Sequence, residues 1–256
     1  MLKLQDAQLD VFRRKALDRY VAELVEHCRK FAPALCATLD DAQLERAVRS
    51  GIERARADGF NERGPVRFYI DLMIVFGAGF SRDPQYPWIA KILEGPGSQL
   101  ERTEALHTRV AVYLAEVDGK DNVYTLAALR ELQRLVSLGL DLSPEGFHDE
   151  LLALMAEVHP RKAAQADEGA LRRLIAQAEA SCRARYGFRA VRSYALWAVM
   201  GFAFGHAFDS DPFLPWIAKT VTAKRETRDP EDAAQRLERR ALIWLEAVLN
   251  NAAQRT

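Results

Sequence analysis

The chain has 256 residues, 49% of them apolar and 28% charged, with Lys+Arg and Asp+Glu balanced at 36 each. That composition excludes a disordered chain, which combines few apolar residues with high net charge. The charge balance gives no global field for nucleic acid or an acidic membrane, so neither is expected as a partner.

In chain order, apolar residues recur at helical spacing, and no sustained alternation marks a strand. Helices are expected near 5–14 and 16–31, with Tyr20, Leu24 and Val25 on one face of the second and Pro33 after its end. The next, 41–57, opens on Asp40 with Gln43 three residues on, the pattern of a capping box, and carries Leu44, Val48 and Ile52 on one face. Residues 65–77 are apolar nearly all round, which places them at the centre of a bundle, with Gly77 and Gly79 ending the helix. Helices at 87–94 and 99–117 follow. The intervening links "EGPGS", "VDGKDN", "GLDLSPEG" and "TAKRETRDPEDA" are short and polar. Ser143-Pro144 and Asp229-Pro230 read as helix starts. The most apolar run, Tyr194 to Phe208, falls short of the ~18–20 residues that span a bilayer and reads as a core helix. An amphipathic helix over 231–250 mixes Glu and Arg at i,i+4 spacing, as a solvated face does.

The sequence repeats itself. Asp83–Lys91, "DPQYPWIAK", returns as Asp211–Lys219, "DPFLPWIAK", with seven of nine residues identical at a shift of 128. The same shift pairs Gly59-Phe60 with Gly187-Phe188, Phe76-Gly77 with Phe204-Gly205, Phe80 with Phe208, and Tyr69 with Trp197. Upstream the shift is 127, pairing Tyr20–Pro33 with Phe147–Pro160. Downstream, "VYL" at 112–114 pairs with "IWL" at 243–245. The chain therefore reads as a tandem duplication of a five- to six-helix unit, residues 1–128 and 129–256, packed all-α as a bundle with pseudo-two-fold symmetry.

Within the repeated string, Asp83, Pro84, Pro87 and Trp88, with Asp211, Pro212, Pro215 and Trp216, form a structural motif or a contact for a partner. The carboxylates suit helix starts and an indole N–H partner, the prolines a break and a first helical position, and the tryptophans an apolar anchor. As a recognition surface, Asp83 and Asp211 would be exposed acids beside aromatic anchors.

The pattern "IDLMIVFGAGFSRDPQYPW" is similar to one in uncharacterised bacterial all-helical proteins carrying "LMFVFG…F…DPxLPW", often encoded beside type VI secretion spike genes. Leu72, Met73, Val75, Phe76, Gly77, Phe80, Asp83, Pro84, Pro87 and Trp88 carry the resemblance. The second copy keeps Phe204, Gly205, Phe208, Asp209, Asp211, Pro212, Leu214, Pro215 and Trp216, whereas the first departs at Ser81 and Tyr86. The resemblance implies an accessory protein, either a loading adaptor or chaperone or an immunity protein, whose partner is an effector, toxin or spike component.

Chemistry-bearing motifs are sparse. His206, Asp209 and Asp211 form the one cluster of metal-ligand types, without enough further ligands for a metal. There is no nucleophile elbow, dinucleotide fingerprint or Walker loop, and no cofactor is expected. Cys28, Cys36 and Cys182 lack a Cys-x-x-Cys pair and suit reduced thiols in the cytoplasm. The first residues lack the apolar stretch of a secretory signal. The expected function is a non-enzymatic protein-binding module. The alternatives are an enzyme with a site between the repeats, marked by Ala78 against His206, Ser81 against Asp209 and Arg67 against Ala195, and a self-associating protein with 231–250 as its dimer seam.

Overall fold

Asp40 accepts a hydrogen bond from the Gln43 N–H at 2.7 Å while the Gln43 side chain accepts from the Asp40 N–H, which satisfies two donors that a helix start leaves free. This capping box opens the helix Asp41–Ala57, and Ser98 with Glu101 opens Gln99–Val117 in the same way. A computed structural model describes residues 6–222 and 229–254, and they are all-α: no strand occurs among the described residues. The first residues of the chain and part of the link "TAKRETRDPEDA" lie outside them.

The first half comprises α1 (Asp6–Phe31), α2 (Pro33–Cys36), α3 (Asp41–Ala57), α4 (Arg63–Phe76), α5 (Pro87–Leu93) and α6 (Gln99–Val117). The second comprises α7 (Val123–Leu138), α8 (Phe147–Val158), α9 (Pro160–Gln165), α10 (Glu168–Ser181), α11 (Val191–Phe204), α12 (Pro215–Thr222) and α13 (Glu231–Ala253). Two buried apolar clusters match these halves, one around Leu24, Ile70 and Phe80, the other around Leu151, Met200 and Phe208. Helix α7 runs through residues 128 and 129, and its Leu132, Leu135 and Val136 belong to the second cluster.

Helices α2 to α6 each have a counterpart among α9 to α13, and the change of shift from 127 to 128 has a physical seat. Residues Cys182–Tyr186 at the end of α10 form a π-helical turn, which takes one residue more per turn than an α-helix. Helix α4, half buried, and α11, buried over nearly its whole surface, stand at the two cores. Both end at glycine, Gly77 and Gly205.

Three expectations change. Residues 6–31 form one continuous helix, because nothing in "RRKALDRY" breaks it. Ser143-Pro144 opens a turn in which the Ser143 hydroxyl accepts from the Gly146 N–H, and the helix starts only at Phe147. The apolar face of α13, with Leu237, Ala241, Leu245 and Val248, is used inside the chain against α7, α12 and α2 rather than left for a dimer. No described helix is long and apolar enough to cross a membrane.

Candidate functional site

The repeated string lies where the halves meet. Asp83 Oδ1 accepts from the Gln85 N–H at 2.9 Å, a local turn that fixes the carboxylate, and Oδ2 reaches across to accept from the His206 N–H at 2.8 Å. Asp211 repeats this in the other direction: Oδ1 accepts from Phe213 N–H at 2.8 Å and Oδ2 from Ala78 N–H at 2.8 Å. Both carboxylates are buried, which corrects the expectation of exposed acids. Neither caps a helix, since α5 begins after Tyr86 without a side-chain cap and Pro87 is its first residue. Burial pushes the Asp211 carboxyl up to about 6, against the two N–H groups that favour its charged form.

Two glycines allow this approach. A Cβ on Gly77 would lie 2.2 Å from the Phe204 carbonyl oxygen, and one on Gly205 would lie 2.5 Å from that of Phe76. Their φ values of 87° and 93° belong to a region that only glycine enters readily. The following positions also cross. Phe213 buries its ring in the first half's core, while the Gln85 amide donates to the Gly201 carbonyl of α11 at 3.1 Å. At these contacts the halves meet as a packed seam, where the enzyme alternative had placed a site.

Lys162, from α9, is buried in the same seam. Its Nζ donates to the Phe202 carbonyl at 2.5 Å and lies 5.4 Å from the Tyr86 ring centre. Desolvation pulls the amine down to about 8, against the attraction of Asp83 and Asp118. The position matched in the first half is Leu35, which touches both cores, so sequence pattern gave no reason to look for an amine there. His159, which precedes α9, accepts from the Lys162 N–H through Nδ1, and burial, with Lys162 nearby, lowers its imidazole to about 4.

The tryptophans sit beside the seam. Trp88 packs against Phe76 and Tyr113, with the Arg109 guanidinium 5.5 Å from its ring centre, and Trp216 stacks on Trp244 at 6.0 Å. Neither uses the nearby aspartate: the carboxylates are taken by backbone N–H groups, and Trp216 Nε1 has no hydrogen-bond partner among the described residues. Pro84 and Pro212 lie in the turns, and Pro215 is the first residue of α12.

His206, Asp209 and Asp211 serve separate partners. His206 Nδ1 is 3.3 Å from Asp83, Asp209 accepts from the Tyr186 hydroxyl at 2.5 Å and pairs with Arg185 at 2.8 Å, and Asp211 holds Ala78. No metal-ligating group of residues forms among the described residues. The contrast between Ser81 and Asp209 has a structural reason. In the first half the carboxylate sits on Asp58, which accepts from Tyr69 at 2.7 Å; in the second it sits on Asp209, paired with Tyr186 at the position of Asp58. The carboxylate has moved from the position of Asp58 to that of Ser81, and the tyrosine that meets it from the position of Trp197 to that of Asp58, so an acid–hydroxyl pair survives.

The halves differ on their outer faces. In the second, α7 packs on α8 and α13, and the glycine that follows it reaches α11: Arg134 bonds to Glu157 at 2.6 Å, Gly139 meets Arg192, and Arg130 and Gln133 line a depression with Leu242 and Ile243. In the first, no described helix covers the matching face of α1, α4 and α6. Phe31 is 44% exposed where its counterpart Val158 is 3% exposed. Arg67 stands for Ala195, Asp71 for Val199 and the half-buried Phe68 for Leu196. His27 Nε2 meets Asp71 at 2.6 Å and stacks on Phe31, and Phe68 contacts the His107 ring. Burial raises the Asp71 carboxyl, and His27 opposes that shift. None of this pairing follows from local motif, because His27 and Asp71 are 44 residues apart. No protein-family model, curated protein or solved structure matches the chain.

Proposed function

We propose that this chain is a non-enzymatic protein-binding module that seats an α-helical segment of a partner on the open face of α1, α4 and α6. The carrying observation is internal. The second half covers its three-helix face with α7, whereas the first leaves the same face open and lines it with Phe31, Phe68, Arg67, His107 and the His27–Asp71 pair. Aromatic rings beside arginine supply much of the energy at protein interfaces. The welded seam holds that face on a rigid base. The resemblance to proteins encoded beside secretion spike genes makes the partner an effector, toxin or spike component, and the role that of an adaptor, chaperone or immunity protein in the cytoplasm.

The test is retrieval from the native host. Tagged protein should bring down the product of an adjacent gene, and Phe31→Glu should lose that product while keeping its circular dichroism and melting temperature. A wild-type protein that retrieves no neighbouring gene product, or a Phe31→Glu variant that retrieves it unchanged, refutes the reading.

A further inference from the structure

Resting on that reading of the face, we infer that its occupant in the isolated protein is a second copy of the chain, contributing the N-terminal half of α1. In the second half, the helix ahead of α8 folds back through residues 139–146 and lies on its own three-helix face. In the first half, the helical segment ahead of the packed part of α1 continues straight instead, within a helix of 26 residues, ~39 Å long. It cannot reach the face beside it, yet it carries apolar side chains outward: Phe12 is 60% exposed and Leu9 only half-buried. A helical hairpin opened into one long helix closes again by pairing antiparallel with another copy, the exchange that makes a swapped dimer.

The hairpin also supplies the register. Arg134 and Glu157, which bond across α7 and α8, correspond at the upstream shift to positions 7 and 30, so two copies of α1 would cross near residues 18 and 19. Leu9, Phe12, Ala16, Tyr20, Glu23, His27 and Phe31 fall on one stripe of the helix, at steps of three and four. At that crossing Leu9 of one copy enters between His27 and Phe31 of the other, Phe12 between Glu23 and His27, and Ala16 between Tyr20 and Glu23. Arg13 comes beside Glu23. The contact is isologous: each copy gives one arm and one seat.

Sedimentation velocity of the full chain from micromolar to about a hundred micromolar tests this. The wild type should be a dimer, and Phe12→Glu and Phe31→Glu should each be folded and monomeric at concentrations where the wild type is paired. Mixing the two variants should restore dimers, because the mixed pair regains one intact arm and seat; a variant that merely loosened the fold would not be complemented. A monomeric wild type at the highest concentration, or a dimer indifferent to both substitutions, overturns the proposal. If the wild type is monomeric yet retrieves a neighbouring gene product through Phe31, self-pairing alone falls. If it is a dimer that both substitutions break but retrieves no such product, self-pairing stands and the partner-binding function falls.

Discussion

Replacing Gly77 by alanine probes the seam where its tolerance is smallest. The backbone there has φ 87° and ψ 154°, a conformation that costs a residue with a Cβ about 1–3 kcal/mol. The new methyl would sit 2.2 Å from the Phe204 carbonyl oxygen, part of the main chain of the other half, so no side chain can move aside. Relief requires the halves to separate by roughly an ångström, which stretches the bonds from Ala78 N–H to Asp211 and from His206 N–H to Asp83. A hydrogen bond to a charged group contributes about 1.5–3 kcal/mol, and both acceptors are buried. The expected loss is about 4 kcal/mol or more, near 10 °C in melting temperature for a chain of this size. Urea unfolding followed by circular dichroism measures it. Gly64→Ala is the control: nothing lies within 4 Å of its Cβ, and it should be neutral or stabilising by under about 1 kcal/mol. A Gly77→Ala protein within about 1 kcal/mol of wild type would refute the claim that the halves are locked by backbone contact.

Lys162→Leu, the residue of the matched position, should remove a pH dependence. The wild-type amine titrates near 8 when folded against 10.5 as reference, so the unfolded chain holds more protons between those values and stability rises with pH across that window by about 3 kcal/mol. The variant should lack this rise. Because burial raises the thiols and so opposes the trend at high pH, the quantity to read is the difference between the two proteins; equal slopes would refute the assignment. Burial pushes Cys28 up to about 12 and raises Cys36 and Cys182, so native protein at pH 8 should show no rapid reaction with a disulfide reagent, and all three thiols should appear in denaturant. One fast thiol in the native state would contradict their burial.

The sequence by itself determined that the described chain is all-α and where most of its helices lie. Apolar spacing, the Asp40–Gln43 capping box and the glycines after Phe76 and Phe204 are local signals, set by hydrogen bonds and dihedral preferences within a few residues. It also marked "DPxxPWIAK" as a structural motif or a contact for a partner. The tertiary structure alone decided what that string does: Asp83 and Asp211 cap no helix, but bond to backbone N–H groups 123 and 133 residues distant. Nor could spacing disclose the amine of Lys162 in a place held elsewhere by leucine, the relocation of the acid–tyrosine pair between Asp58–Tyr69 and Asp209–Tyr186, or the His27–Asp71 pair. In each case the partner is brought in by packing of distant helices, and a linear pattern carries no record of which face meets which. The open face of α1, α4 and α6 is the same kind of fact. Its residues resemble those of any solvated helix until α7 is seen lying over their counterparts, because exposure belongs to the assembled chain and not to the segment.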